Sequence, residues 1–290
     1  MELPDEVRAS CARIAEQARS VKIDLGAIEA LDPGPEPELD RGRHYLEGPP
    51  ESVAAYFLTL DTINFGSGWF PTLRKRPGCS GYFTVASALT DRFREQGPWS
   101  ATELRAIPSD EVAFVLGQAR DHELMALYAQ ALRELGRFLG RREPLDLIAE
   151  AGRSAASLAA TLAAGMATYS DRGFYKRAQI VPSNLALAGV AQFDDLDRLT
   201  IFADNLVPHV LRCDGVLVYS AGLAGLIDAG RPLRSGGQER EIRACAVHAC
   251  ELLSERLGLP AREIDHRLWT RGQQPSYKTR PRHRCRCVYY

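Results

Sequence analysis

The sequence predicts a mainly α fold: a single compact helical domain with a small β accessory. Three observations predict it. Apolar residues recur at helical spacing in segment after segment. Strand-like alternation is confined to residues 81–85 and 284–289 and is partial in both. Strands and helices do not alternate over a span long enough for a parallel sheet. A chain of 290 residues, 45% hydrophobic and 25% charged, can bury a large core of this kind. Residues 1–50 are expected to form a helical arm, and residues 262–290 a basic tail packed on the domain.

The elements follow in order. Val7, Cys11, Ile14, Ala15 and Ala18 mark a first helix over residues 4–18. The run DPGPEP at residues 32–37 breaks the chain. Val53, Tyr56, Phe57, Leu60 and Ile63 stripe a helix over 52–64, which Gly66 and Gly68 end, with Trp69-Phe70-Pro71 in the turn beyond. Short helices are expected over 84–96 and 109–118, the second with Asp110 and Glu111 in its first turn. Residues 123–139 form a strongly amphipathic helix through Leu124, Tyr128, Leu132 and Leu135. Residues 154–168 read as a well-buried helix, and 198–211, 216–229 and 239–257 complete the set. Residues 232–238 (PLRSGGQ) are a loop.

Composition narrows the function. With 36 basic and 37 acidic residues the net charge is −1, so no global basic field favours nucleic acid, and no stable nucleic-acid partner is expected. Residues 262–290 carry eight Lys and Arg against Glu263 and Asp265, which marks either a local anion site or a solvated tail. The seven cysteines are scattered and residues 1–20 are charged and amphipathic, the pattern of reduced thiols in a cytoplasmic protein. The longest uncharged stretch, residues 154–170, is too polar and too short for a membrane span.

Three segments carry candidate chemistry. Asp61 and Asn64 lie three apart beside Phe57, Leu58, Leu60 and Phe65, so they share a helix face, as a helix-end hydrogen bond or as a functional pair. Phe174-Tyr175-Lys176-Arg177 places two rings before two cations, either an anion clamp or a solvated basic turn. Asp204 interrupts the apolar run of Leu199, Phe202, Leu206 and Val210. Pro208 has no N–H to bond the Asp204 carbonyl, so the backbone must kink there or a new helix must begin just past it. Asp204 is then a helix cap or a catalytic carboxylate. His283, Cys285 and Cys287 alternate, but no second ligand cluster joins them, and no metal is expected. Walker, GxSxG, HExxH and supported GxGxxG motifs are missing, so phosphoryl, serine-nucleophile and hydride chemistry have no foothold.

Taken together, five stretches resemble the queuosine-salvage family: DTINFGSGW (61–69), FYKRAQI (174–180), LTIFADNLVPHVL (199–211), EREIRACAVHACELL (239–253) and RCRCVYY (284–290). They run in family order over nearly the whole chain. The resemblance implies a helical fold similar in its core to helix-hairpin-helix DNA glycosylases. It implies hydrolysis of queuosine 5′-monophosphate to queuine and ribose 5-phosphate without a cofactor, in queuine salvage for tRNA modification. It makes Asp204 the catalytic carboxylate, stabilising or attacking a cation-like ribose C1′. On this reading Asp61 meets the secondary amine of the queuine side arm and Asn64 reads the guanine-like amide edge. Phe65, Trp69 or Phe202 stacks on the base. Lys176 and Arg177 hold the 5′-phosphate, Asn205 also binds the substrate, and Tyr290 closes the pocket. Two other functions compete: a nucleic-acid base-excision glycosylase on a similar scaffold, and a non-catalytic module that binds queuine or its nucleotides.

Overall fold

The computed structural model describes residues 1–290, and helices account for most of them. The longest, α13 (Gly237–Leu257), is buried along much of its circumference. Its inward positions are small, with Ala244, Cys245, Ala246, Ala249 and Cys250, so neighbouring helices can approach closely. Helix α1 (Leu3–Gln17) lies along it through Val7 and Cys11. Helix α3 (Pro50–Thr62) begins with Pro50, where a missing N–H costs nothing, and buries Val53, Tyr56, Phe57 and Leu60. Helix α7 (Glu123–Leu139) packs Leu124, Tyr128, Leu132 and Leu135 inward, as its stripe predicts. Helix α10 (Lys176–Leu187) rests on α3 and on α9 (Ala155–Gly165). Helices α11 (Val207–Cys213) and α14 (Ala261–Arg271) pack together beside α13. No helix is long and apolar enough to cross a membrane.

The β accessory exists, but elsewhere than the alternation suggested. Strands β1 (Val21–Ile23) and β2 (Leu217–Tyr219) pair antiparallel with Lys22 opposite Val218. Residues 81–85 are instead the first turn of α4 (Gly81–Gln96), because the Ser80 hydroxyl accepts the Phe83 N–H at 3.2 Å and caps the helix. Residues 284–289 form no strand; Cys285 makes a single bridge to Leu233. The helix expected over 216–229 is shortened by β2 and starts only at α12 (Ala221–Asp228), where the Ser220 hydroxyl caps it.

The helix expected over 198–211 is also interrupted. A short 3₁₀ turn, Leu196–Arg198, gives way to a non-helical stretch, and α11 begins at Val207. Side chains hold this stretch open by taking its N–H groups. The Gln179 amide oxygen accepts from Thr200 at 3.0 Å, and Asp265 accepts from Phe202 at 2.9 Å. Asp204 Oδ1 accepts from Leu206 and Val207 at 2.6 and 3.3 Å. Of the two possibilities that Pro208 raised, a new helix just past Asp204 is the one realised.

The last residues thread into the interior. The N–H groups of Gly66 and Ser67 donate to the Tyr290 backbone oxygen. A Cβ on Gly68 would stand 2.4 Å from the Cys285 carbonyl oxygen, so this close crossing requires glycine. The basic excess of residues 262–290 is largely answered by carboxylates from elsewhere: Arg262 pairs with Asp197, Arg271 with Asp214, Arg280 with Asp228 and Arg286 with Glu123.

Candidate active site

A cavity of about 380 Å³ opens between the end of α3, the start of α10, the stretch before α11, and helices α4 and α14. Lys176 is the first residue of α10 and is 3% exposed. Tyr175 before it turns the chain through the left-handed region at φ 49°, with its hydroxyl on Glu6 at 3.1 Å. Lys176 Nζ then reaches the Asn64 carbonyl oxygen at 3.0 Å, where the chain leaves α3. Burial pulls the ammonium down to about 8, against the opposing pull of Asp204 and Asp61.

Asp204 lines the cavity from the mouth of α11. Asp265 projects from α14 beside it, fully buried, and burial together with the Asp204 charge pushes its carboxyl up to about 8. The Phe202 N–H and Lys176 oppose that rise. At neutral pH Asp265 therefore holds its proton and can donate it. Asp61 sits behind the wall with no exposed surface, pushed up to about 6 by burial and held from rising further by Asn184, Lys176 and Asn64. Aromatic side chains form much of the remaining wall, with Glu38, Asp40, Arg43 and Gln273 also lining it. Phe202 lies 5.8 Å from the His266 ring, and Tyr82 and Phe83 each stand 5.5 Å from Trp269. His44 joins Tyr82 through a hydrogen bond of 3.0 Å.

Seven of the residues singled out from sequence line this one cavity: Asn64, Phe65, Lys176, Phe202, Asp204, Asn205 and Tyr290. Asn205 is tied to the His283 carbonyl oxygen at 3.1 Å, which fixes it next to Asp204. Three residues singled out from the sequence lie off this cavity. Arg177 faces away from the cavity: its guanidinium donates to the carbonyl oxygens of Thr62, Thr168 and Val288, and it is 1% exposed. Consecutive helical residues point about 100° apart, and the three carbonyl bonds hold Arg177 on the side away from Lys176. Trp69 also lies off the cavity, with its indole N–H on Glu123 at 2.7 Å and Arg286 over its ring. Asp61 has no exposed surface and is enclosed by Asn64 and Asn184.

Asp265, Asn184, His44, Trp269 and His266 escaped the sequence reading. Asp265 did carry a signal. Ala261, Ile264, Asp265 and Leu268 follow helical spacing and form the buried face of α14, so a carboxylate sits where an apolar residue belongs. Asn184 falls on the buried side of α10 in the same way. No group of three or more His, Cys, Asp or Glu side chains stands ready to hold a metal ion.

Comparison with known proteins agrees with this architecture. The family model described as queuosine salvage protein matches residues 44–290. A Sphaerobacter thermophilus protein named queuosine 5′-phosphate N-glycosylase/hydrolase is 34% identical over 317 aligned positions, which cover 98% of this chain and 97% of that protein. Proteins of the same name from Mus musculus and Bos taurus are 28% and 29% identical over 99% and 98% of both chains. With the family model matched over most of its length and a full-length relative above 30% identity, the chain belongs to the queuosine salvage protein family.

Proposed function

We propose that this protein hydrolyses the N-glycosidic bond of queuosine 5′-phosphate, releasing queuine and ribose 5-phosphate so that the base can be reused in tRNA modification. One observation carries the reading: Asp204 faces a substrate-sized aromatic cavity beside Asp265, a second carboxyl that keeps its proton at neutral pH.

The chemistry follows from that pair. As the bond between C1′ and the base nitrogen breaks, its electrons leave with the base and C1′ becomes cation-like. The Asp204 carboxylate stabilises that charge at close range. A 7-deazaguanine has carbon where guanine has N7, so the leaving group must be helped by another route. Asp265 supplies its proton to the departing base. Water adds to C1′ and gives its proton to Asp204, so one proton passes to the base and one is recovered. Solvent exchange then resets the two carboxyls. Phe202 and His266 offer a face for stacking, and Tyr290 closes the far wall. Lys176 is the ammonium available to the 5′-phosphate, and with Arg177 turned inward it acts without that partner.

Incubating the protein with queuosine 5′-phosphate and separating the products by chromatography tests the reading. Stoichiometric queuine and ribose 5-phosphate are expected. Tight binding with no release after overnight incubation would leave a binding module instead, and release of a base from duplex DNA or tRNA would favour the base-excision alternative.

A further inference from the structure

Asp61 presents an unusual problem for a buried carboxylate. It has no exposed surface, and no lysine or arginine forms an ion pair with it. Its partners are amides. Asn184 Nδ2 lies 3.0 and 2.9 Å from its two oxygens, and Asn64 Nδ2 lies 3.5 Å from Oδ1. An ionised carboxylate has lone pairs and nothing to donate. Each amide must therefore turn its NH₂ group toward Asp61, and each must turn its carbonyl oxygen away.

That orientation has a consequence on the other side. Asn64 and Asn184 both line the cavity. The Oδ1 atoms of both take no hydrogen bond from the protein, and neither is among the enclosed atoms left without a partner. Both oxygens are open to whatever fills the cavity. The Asn64 backbone is pinned independently, because Lys176 Nζ holds its carbonyl oxygen at 3.0 Å. An asparagine left to itself presents donor or acceptor by a half-turn about one bond. These two cannot turn without setting a carbonyl oxygen against a carboxylate.

We infer that Asp61 is a positioning residue that locks Asn64 and Asn184 as two acceptors facing the cavity, and that this wall recognises hydrogen-bond donors of the substrate rather than its phosphate. Resting on the glycosidase reading above, this assigns the wall a chemical class of contact: hydroxyl or N–H groups. Queuosine 5′-phosphate offers three such sources: the ribose 2′,3′-diol, the N1–H and 2-amino edge of the base, and the amine and diol of the base's side arm. A wall of fixed acceptors discriminates strongly, because an analogue lacking the donor leaves a desolvated carbonyl oxygen unpaired.

The test compares kcat/KM at pH 8 for queuosine 5′-phosphate, its 2′-deoxy analogue, the analogue lacking the 2-amino group and 7-deazaguanosine 5′-phosphate, which lacks the side arm. The wild-type protein is expected to disfavour at least one of these three analogues by about 10²-fold. Asp61→Asn frees Asn184 to flip, so the ratio for that analogue should shrink about tenfold, with KM moving more than kcat. Which analogue responds tells the ribose, the base edge and the side arm apart. Asn184→Leu removes one acceptor outright and should narrow the same ratio, so it serves if Asp61→Asn fails to fold. Turnover of all three analogues as fast as the parent substrate overturns the inference without any variant. So does unchanged discrimination in folded Asp61→Asn. Calorimetric binding of queuine and of ribose 5-phosphate, each alone, needs no turnover. If hydrolysis is not observed, a roughly tenfold weaker Kd for one of them in Asp61→Asn would still support the locked wall, and two unchanged constants would sink it.

Discussion

Lys176 and Arg177 are chain neighbours and both are buried, yet they belong to two different regions. Arg177 serves the interior. It clamps three carbonyl oxygens from the end of α3, the turn after α9 and the C-terminal segment, with its guanidinium 4.7 Å from the Phe65 ring centre. Arg243 on α13 behaves likewise, bonded to Asp171, to Glu239 and to the Ala203 carbonyl oxygen, with the Tyr290 ring 4.5 Å away. Lys176 has a single protein hydrogen bond, and burial leaves it at about 8. The same contrast holds for carboxylates. Asp171 forms a buried ion pair with Arg243, whereas Asp265 accepts one backbone N–H and is pushed to about 8. Where this protein buries charge for stability it gives the charge several partners. Where it buries charge around the cavity it leaves capacity for a ligand.

This contrast breaks or sharpens under substitution. The largest effect on activity is expected from Asp204→Asn: queuine release should fall by about 10³-fold with substrate binding retained, measured in single-turnover assays. Near-normal release would take Asp204 out of the chemistry. The largest effect on stability is expected at Arg177. Arg177→Met leaves three buried carbonyl oxygens without a donor and should cost about 3–5 kcal/mol in denaturant unfolding, far more than Lys176→Met. Lys176→Met should do the opposite, lowering kcat/KM for the 5′-phosphate by about 10–100-fold and much less for the unphosphorylated nucleoside. If both variants lose stability equally, the division between the two regions fails.

A smaller effect concerns pH. Asp265 ordinarily titrates near 3.8 and is raised to about 8 in the fold. The native state therefore holds this proton more tightly than the unfolded chain. The contribution is fully present below about 3.8 and is lost as pH rises through about 8. Asp265→Asn keeps an oxygen for the Phe202 N–H and removes the ionisation, so its Tm should exceed that of the wild type by a few degrees at pH 9 and match it at pH 4. A variant less stable at both values would contradict the assignment. The smallest effect is expected at Trp69. Trp69→Phe loses the hydrogen bond to Glu123, about 1 kcal/mol, and should leave kcat/KM within twofold. A large loss of activity would return Trp69 to the substrate.

Helix content and much of the core were legible in the sequence because amphipathic spacing is a local property. The stripes of α3 and α7 bury the residues that their periodicity names. The Asp204 segment was legible to the point of two alternatives, since Pro208 constrains the backbone within one turn. Its extended conformation was not, because the groups that hold it come from Gln179 and Asp265, remote in sequence. The strands were missed for a related reason: each has three residues, too few for alternation to register, and each is fixed by its partner.

By itself the sequence determined that the chain folds mainly as helices and that the backbone must kink or start a new helix near Asp204. Tertiary structure alone decided which charges meet the cavity. It turned Arg177 inward, set Asp265 beside Asp204, and joined Asp61 to Asn184 across 123 positions. The physical reason is that backbone periodicity is written into each segment. The cost of a buried charge depends on the dipoles and partners around it, which the chain brings together only when it folds.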